Sequence, residues 1–403
     1  MHYAIIALGS RGDVQPFIAL SIGLMTRSHT VTLIAHENFK EFIEGYGVPF
    51  HQLTGNIEAY LHTEDGRKLL ASGSTIALMR YLNKGARQWK VENQLEILCG
   101  CRGADAIVTS ILGIPIVSCV AELYQKPWAV VELSFPTTET GAAPFEGVAF
   151  LNIPWVNRLG YRVLHRLSWR MTRKEVNTFR TSLGLPRANK WPNVLRLHAI
   201  SPQLIPQPPD WDSLAKITGF MTLPIAPQPP AEEVQKWMAE GEAPVYVGLG
   251  SIPAPHPQNF EKSIMALLGE FRVLYCKGWS AMALSPHPNL CIVDKIDHRW
   301  LFPRCRAAVI HGGVGTMAAA LGAGTPPIIL SVFADQPWWG RMVERRGLGV
   351  HIPFKRLTPE RLLNAVRQVG KIKPLRDENG VEQAIAALED YLPKFRSASL
   401  LQS

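Results

Sequence analysis

Short apolar runs alternate with amphipathic stretches at both ends of this chain, and this alternation limits the possible folds more than any other feature. Residues 3–8 have the composition of a buried strand, and residues 14–27 have the apolar spacing of a helix with Pro16 in its first turn. Residues 30–35 are predicted as the next strand. Strands that alternate with helices pair in parallel and are covered on both faces. The pattern therefore predicts an α/β fold.

The same pattern returns after a proline-rich stretch. Prolines crowd residues 201–230, and such density produces stiff extended segments instead of regular helix. We therefore predict two parallel-sheet domains, at residues 1–205 and 231–385, with a linker at 206–230 and a terminal helix or tail at 386–403 that packs back on the first domain. The remaining strand candidates are residues 105–109, 128–135, 245–249, 272–276, 290–293, 307–310 and 327–330.

Composition narrows the class of protein further. Hydrophobic residues make up 47% of the 403 residues and charged residues 19%, which excludes a disordered chain or a coiled coil. The net charge of +9 suggests an anionic partner, and the absence of a recognition module argues against nucleic acid. The six cysteines lack zinc-site spacing and are expected to be reduced thiols. Without a signal peptide or an 18-residue apolar run, we expect a cytoplasmic protein.

The segment with the clearest chemical meaning is His311-Gly312-Gly313-Val314-Gly315-Thr316, between a predicted strand and a predicted helix at 317–321. Its glycines let the backbone approach a ligand closely, and a helix N-terminus offers N–H groups that suit a diphosphate. His311 follows the strand at the edge where open α/β sheets bind ligands. A plain tight turn is the alternative, but both His311 and Thr316 can donate to phosphate oxygens.

Asp335 and Gln336 follow the next predicted strand, so we expect them at the same sheet edge as His311. A carboxylate and an amide side by side can accept from and donate to neighbouring hydroxyls of a sugar. Asp335 before Gln336-Pro337 also suits the N-cap of a helix. The two roles are compatible.

These segments together resemble the donor-binding signature of family 1 glycosyltransferases, which have the GT-B fold. The loop Gly9-Ser10-Arg11-Gly12-Asp13-Val14-Gln15-Pro16 is similar to the N-terminal loop of sterol glucosyltransferases and bacterial antibiotic glycosyltransferases. Residues 277–280 and 297–303 resemble the sterol branch. The resemblance implies two Rossmann-like domains that face each other across a cleft, the first for the acceptor and the second for a nucleotide sugar.

The resemblance also implies a role for each matching residue of the donor site. Asp335 and Gln336 would hold the sugar hydroxyls, while Trp279 and Val293 would contact the nucleotide. Plant members carry a Glu for the ribose where this chain has Ala319, so that contact is not carried over. The residues implied for the diphosphate are Ser251, His311, Gly313, Val314, Gly315 and Thr316.

Asp13 is the catalytic residue that the resemblance implies. It ends the loop formed by Ser10, Arg11 and Gly12, and it would take the acceptor hydroxyl proton while that oxygen attacks the anomeric carbon. By local rules alone, Asp13 is a helix cap, and the two roles could coexist. Glycine amides and a helix terminus can neutralise a leaving diphosphate. We therefore expect inversion with neither a metal nor a cofactor, and UDP-glucose as the donor.

A basic segment at residues 158–180 bears on the acceptor. Arg158, Arg162, Arg166 and Arg170 step by four along one stripe of a predicted helix, with apolar residues beside them. A basic amphipathic helix can lie on an anionic membrane, although a surface helix packed on its own domain is the plainer interpretation. We predict a nucleotide sugar and a lipophilic acceptor, such as a sterol, polyketide or glycolipid, as partners, together with a peripheral contact between this segment and a membrane.

Three other functions compete with this one. A glycosyltransferase that uses a dTDP-deoxysugar to modify an antibiotic would share every motif above. A nucleotide-sugar epimerase or hydrolase would share the diphosphate site but needs a further acid–base pair, which the motifs lack. A non-catalytic binder would lose Asp13 or Asp335, and both are present.

Overall fold

The computed structural model describes residues 1–61, 63–72, 77, 80–81, 84–85, 87–134, 137–141, 153–250, 252–280 and 282–400. A few of these, among them Trp279 and residues 393–400, are described by their backbone alone. The chain divides into two compact units. The first contains the described residues of 1–58, 84–224 and 378–403, and the second those of 59–83 and 225–377.

Seven strands in the described part of the first unit form a parallel sheet in the order β3-β2-β1-β4-β5-β6-β7. The central strands are almost entirely buried, as expected where helices cover both faces of a sheet. Their bounds are β1 His2–Ile6, β2 Thr30–His36, β3 Phe50–Leu53, β4 Ala106–Ser110, β5 Trp128–Glu132, β6 Leu195–His198 and β7 Ala215–Ile217.

Six described strands of the second unit form another parallel sheet, in the order β10-β9-β8-β11-β12-β13. Its centre lies between β8 and β11, where the order of the strands along the chain reverses. The bounds are β8 Val245–Gly248, β9 Val273–Cys276, β10 Leu290–Val293, β11 Ala307–Ile310, β12 Pro327–Ser331 and β13 Val350–Pro353. The prediction of two parallel-sheet α/β domains is confirmed.

The described helices connect these strands. In chain order they are α1 Arg11–Thr26, α2 Lys40–Glu44, α3 Ile57–Leu61, α4 Glu64–Ser72, α5 Lys90–Cys101, α6 Ile114–Leu123, α7 Pro154–Ser182, α8 Glu232–Ala239, α9 Pro257–Leu268, α10 His298–Leu301, α11 Val314–Gly322, α12 Gln336–Arg345, α13 Pro359–Gln368 and α14 Gly380–Leu400. None of the helices within the described ranges is both long enough and apolar enough to cross a membrane.

The proline-rich stretch differs from a plain linker. Strand β7 lies inside the predicted linker at 206–230 and extends the first sheet, with the backbone N–H of Arg196 donating to the carbonyl of Leu214. Residues 210–223 contain no proline, so this part of the stretch keeps the N–H groups that a sheet requires. The middle segment of the first unit ends at Pro224, the first proline of the second group.

The last helix, α14, begins at Gly380 and belongs to the first unit, although residues up to 385 were predicted in the second domain. It packs against α1, and Gly23 of α1 makes close contact possible, because a Cβ there would lie 2.5 Å from Val381 and 2.8 Å from Ile385. The Glu389 carboxylate of α14 also accepts from Arg27 at 2.7 Å.

Helix α1 begins one turn earlier than predicted, so the expectation of Pro16 in the first turn is wrong. Ser10 caps the helix at Arg11, and Pro16 lies inside it. The missing N–H of Pro16 would have paired with the carbonyl of Gly12, four residues earlier. Gly12 is exposed, so water can satisfy that carbonyl.

Candidate active site

Glycines converge at the carboxyl end of the second sheet, around the centre where its strand order reverses. Gly250 follows β8, Gly278 follows β9 and Gly313 follows β11. A Cβ on Gly278 would overlap the backbone of Gly250, and one on Gly250 would lie 3.2 Å from the His311 ring. A Cβ on Gly313 would overlap Nε2 of the same ring. Only glycines allow these loops to enclose His311 this closely.

The His311 side chain is partly buried in this cradle, and one of its ring nitrogens is buried and unsatisfied. Its Nδ1 atom has no hydrogen-bond partner in the described part of the chain. Burial, with a smaller contribution from the nearby His298, lowers the pKa of His311 to about 4. The imidazole is therefore neutral near pH 7 and carries one N–H donor. His298 is held in place by Tyr246, whose hydroxyl lies 2.9 Å from Nε2.

Helix α11 begins directly after this cradle. Gly313 is its N-cap and has no side chain to accept from the first turn. The first bond back to Gly313 is donated by Met317, so the N–H groups of Val314, Gly315 and Thr316 precede it. A helix N-terminus with this geometry favours an anion. The structure thus brings His311 together with the four residues predicted beside it for the diphosphate.

Asp335 and Gln336 lie at the end of β12, the strand beside β11, at the predicted sheet edge. The Asp335 carboxylate accepts from the indole N–H of Trp339 at 2.9 Å, and burial raises its pKa. The buried Gln336 accepts through Oε1 from the backbone N–H groups of Val332 at 2.9 Å and Phe333 at 3.2 Å. Asp335 is the N-cap residue of α12, but its side chain makes no capping bond.

Three more residues, Ser251, Trp279 and Val293, were predicted to bind the sugar nucleotide. Ser251 lies outside the described residues. Trp279 lies in the short helix Gly278–Ser280 after β9, and only its backbone is described. Val293 ends the edge strand β10, and its carbonyl accepts from the N–H of Lys277 at 3.0 Å. Val293 and Trp279 thus belong to the same carboxyl edge as His311.

In the first unit, Asp13 is held by the residue that caps its helix. Its Oδ2 atom accepts from the Ser10 backbone N–H at 2.7 Å and from the Ser10 hydroxyl at 2.9 Å. Gly9 makes room for this carboxylate, because its φ is +133° and a Cβ there would lie 2.6 Å from Cγ of Asp13. Arg11 and Gly12 are exposed, and the Arg11 guanidinium covers the ring of Phe42 at 4.4 Å.

A buried charged cluster at the ends of β5 and β6 is absent from the sequence predictions. The Glu132 carboxylate is 2.6 Å from Arg196 and 3.4 Å from His198. Burial raises the pKa of Glu132, but the two neighbours outweigh burial and hold it below its usual value. The available signal was a carboxylate at the end of an apolar strand, since Glu is rarely buried unless paired. Thr137 of the following loop donates to Glu132 through its hydroxyl and its backbone N–H.

Comparison with protein families matches both halves of the chain. Residues 3–140 match the glycosyltransferase family 28 N-terminal domain, and residues 279–393 match the erythromycin biosynthesis protein CIII-like C-terminal domain. The chain is 31% identical over 434 residues to sterol 3-beta-glucosyltransferase UGT80A2 of Arabidopsis thaliana, covering 98% of this chain and 66% of that protein. It therefore spans about two thirds of the length of this plant relative.

A bacterial relative is matched along nearly its whole length. The O-mycaminosyltylonolide 6-deoxyallosyltransferase of Streptomyces fradiae is 30% identical over 426 residues, covering 97% of each protein. Among solved structures, the glycotransferase of kitacinnamycin has a TM-score of 0.67 at 17% identity and covers 100% of this chain and 98% of its own. The calicheamicin glycosyltransferase CalG4 has a TM-score of 0.62 at 17% identity, covering 100% and 97%. The chain belongs to the GT-B glycosyltransferases, in the family that includes sterol glucosyltransferases and bacterial antibiotic glycosyltransferases.

Proposed function

We propose that this glycosyltransferase moves glucose from UDP-glucose to a hydroxyl of a lipophilic acceptor, such as a sterol, a polyketide or a glycolipid. The reaction would invert the anomeric carbon and need no metal. The observation that carries the proposal is the cradle around His311, in which a neutral ring with an unsatisfied nitrogen lies beside an uncapped helix N-terminus. A diphosphate would supply acceptor oxygens for the His311 N–H and for the N–H groups of this helix N-terminus.

In the proposed donor complex, the His311 N–H and the first-turn amides of α11 donate to the diphosphate. Donors fixed in place by the fold stabilise the charge that develops as the diphosphate leaves, which is the role a metal has in other transferases. Ser251 is assigned to the distal phosphate, and Trp279 and Val293 to the nucleotide. The family motifs support each of these roles.

Asp335 and Gln336 are proposed to bind the sugar. Because Oε1 of Gln336 accepts from the preceding loop, its amide nitrogen is the atom that would donate to a sugar hydroxyl. The name of the plant relative supports a glucosyl donor. A dTDP-deoxysugar is the second candidate, because the Streptomyces relative is named a 6-deoxyallosyltransferase and spinosyn rhamnosyltransferase SpnG was solved with thymidine diphosphate.

Asp13 is proposed as the base that accepts the acceptor proton. The Ser10 hydroxyl and N–H orient its carboxylate, the deprotonated acceptor oxygen bonds to the anomeric carbon, and the nucleoside diphosphate departs with the bonding pair. Ile111 and Leu112 follow β4, the strand next to β1, so they belong to the same sheet edge as the Asp13 loop. Both are exposed, which supports a lipophilic acceptor. Peripheral membrane contact through residues 158–180 completes the proposal.

Calorimetric titration with UDP-glucose and dTDP-glucose tests the donor, first with EDTA and then with magnesium. We expect selective binding of UDP-glucose that magnesium does not change. Gly313→Ala should weaken UDP binding more than tenfold, because the new methyl group overlaps the His311 ring. Gly322→Ala is the matched control at the other end of α11, where a Cβ meets nothing within 4 Å. Equal effects of the two substitutions would contradict the assigned diphosphate site.

Product analysis with a sterol acceptor tests the chemistry. Asp13→Asn should abolish transfer and leave UDP binding within a few-fold, and Asp212→Asn at an exposed site of the same unit should preserve both. Glucose release without an acceptor at the full rate of transfer would instead indicate a hydrolase. Selective use of dTDP-glucose would favour the antibiotic-type candidate.

A further inference from the structure

Helix α7, Pro154–Ser182, presents a row of exposed apolar side chains spaced four residues apart. Trp155 is 65% exposed and Met171 is 77% exposed, which is unusual for side chains of this size. The opposite face of α7 packs on its own unit through buried Asn157 and Tyr161. The apolar row, with a rise of about 1.5 Å per residue, extends about 24 Å. Its members are Trp155, Leu159, Val163, Leu167 and Met171.

A row of basic side chains runs beside the apolar row. Arg158 pairs with Asp210 at 2.9 Å, and Arg162 pairs with Glu139 at 2.8 Å. Between these two pairs and the pair that Arg180 forms with Glu122 near the end of the helix, the pairing is interrupted. Within the described ranges, no carboxylate forms an ion pair with four exposed cations of α7, namely Arg166, Arg170, Arg173 and Lys174.

The neighbouring helix α5 enlarges this surface. Glu175 of α7 lies 3.4 Å from Arg87 and 3.8 Å from Lys90, so the start of α5 is beside this part of α7. The next apolar residues of α5, Val91 and Leu95, are 63% and 59% exposed. We call the apolar rows of α7 and α5, with the four unpaired cations, the α7 surface.

We propose that the α7 surface binds an anionic lipid bilayer, with α7 parallel to the membrane plane. Residues four apart are rotated by about 40° around an α-helix, so the row turns gradually, and its part from Val163 to Met171 shares one side of α7. This part would enter the boundary between headgroups and acyl chains, and the cations beside it would contact lipid phosphates and carboxylates. Arginine suits this position because its stem covers apolar groups while its charge stays in water. This inference extends the proposed membrane contact but does not depend on the identity of the donor or the acceptor.

Two other occupants fit the α7 surface less well. A second copy of the chain would bring like charges together, since on each copy these four cations form no ion pair with a carboxylate of the described residues. An acidic protein would pair with the cations but would also have to present an apolar row of matching length. A bilayer surface provides both the negative charge and the apolar layer beside it.

Co-sedimentation with vesicles tests the proposal. We expect the wild-type protein to bind vesicles of phosphatidylcholine and phosphatidylserine, at seven parts to three, and to bind pure phosphatidylcholine vesicles at least tenfold less. High salt should release most of the bound protein, because it screens the charges. Equal binding to the two vesicles, or no binding to either, would overturn the proposal.

Matched variants identify the surface. Arg166→Gln with Arg170→Gln should weaken binding about 25-fold, at about fivefold for each cation near a lipid surface. Lys355→Gln with Arg356→Gln removes the same charge from exposed sites in the second unit and should change binding little. Leu167→Ser with Met171→Ser should abolish binding, whereas Met265→Ser at another exposed site should not.

UDP binding and circular dichroism check that each variant is folded. If the proposed donor site is wrong, the UDP titrations will show it, and the vesicle results will be unaffected. Unchanged vesicle binding in both α7 double variants would refute the assignment. Sedimentation velocity without lipid provides a further outcome: self-association that Met171→Ser abolishes would identify a second copy as the occupant and overturn the proposal.

Discussion

Acidification tests whether burial keeps the His311 imidazole neutral. In the folded protein its pKa is lowered from 6.5 to about 4. The unfolded chain has no such burial, so the same ring protonates near the ordinary histidine pKa of about 6.5. Between these values the unfolded chain binds a proton that the folded chain does not. Stability is therefore fully present above about pH 6.5 and falls as the pH is lowered towards 4.

The size of this loss follows from the two pKa values. Each pKa unit corresponds to about 1.4 kcal/mol, so the full interval is worth about 3 kcal/mol. Integration between about pH 7.5 and about pH 5.0 gives a loss of about 2 kcal/mol. His311→Gln removes the titrating ring, so the variant should lose about 2 kcal/mol less than the wild type. Other buried histidines, such as His198, are present in both proteins, and their effects cancel.

Urea unfolding at the two pH values measures this difference. Tryptophan fluorescence is a suitable signal for the second unit, since Trp339 is fully buried there and bonds to Asp335. His256→Gln, at an exposed site of the same unit, controls for the loss of any histidine. Equal losses of stability in the wild type and in His311→Gln would refute the claim that the cradle keeps this ring neutral.

Two further substitutions test the first unit. Gly9→Ala should reduce the rate of transfer at least tenfold, because its φ of +133° and the adjacent Asp13 leave no room for a Cβ. Gly12→Ala should reduce this rate little, because a Cβ there would lie 3.7 Å from its nearest neighbour. Steady-state kinetics with a sterol acceptor would show the contrast. Glu132→Gln should destabilise the protein by about 3 kcal/mol in urea unfolding, because it breaks an ion pair whose carboxylate is fully buried. Glu270→Gln at an exposed pair should have little effect.

Local patterns in the sequence were sufficient for the fold class and the main motifs. The strand at residues 307–310 was predicted with its observed bounds, because a fully buried parallel strand appears as an uninterrupted apolar run. The helix predicted at 317–321 begins earlier, at Val314, because the glycines that precede it have no side chains to reveal the cap. The assignment to GT-B glycosyltransferases is confirmed by the relatives and the solved structures.

Contacts between distant parts of the chain could not be predicted this way. The approach of Gly250 to His311, 61 positions later, depends on β8 and β11 being neighbours in the sheet. The Glu132–Arg196 pair similarly joins β5 to β6. No periodicity in the sequence encodes such pairings, because they arise only when the sheet assembles.

The spacing of the arginines is a local property and was enough to predict α7 as a basic amphipathic helix. It did not determine which face of the helix is buried. That depends on packing: Tyr161 packs on the unit, while Leu167 and Met171 face solvent beside exposed arginines. The physical reason is that a helix with apolar residues on more than one face can bury only the face for which the rest of the fold provides a partner.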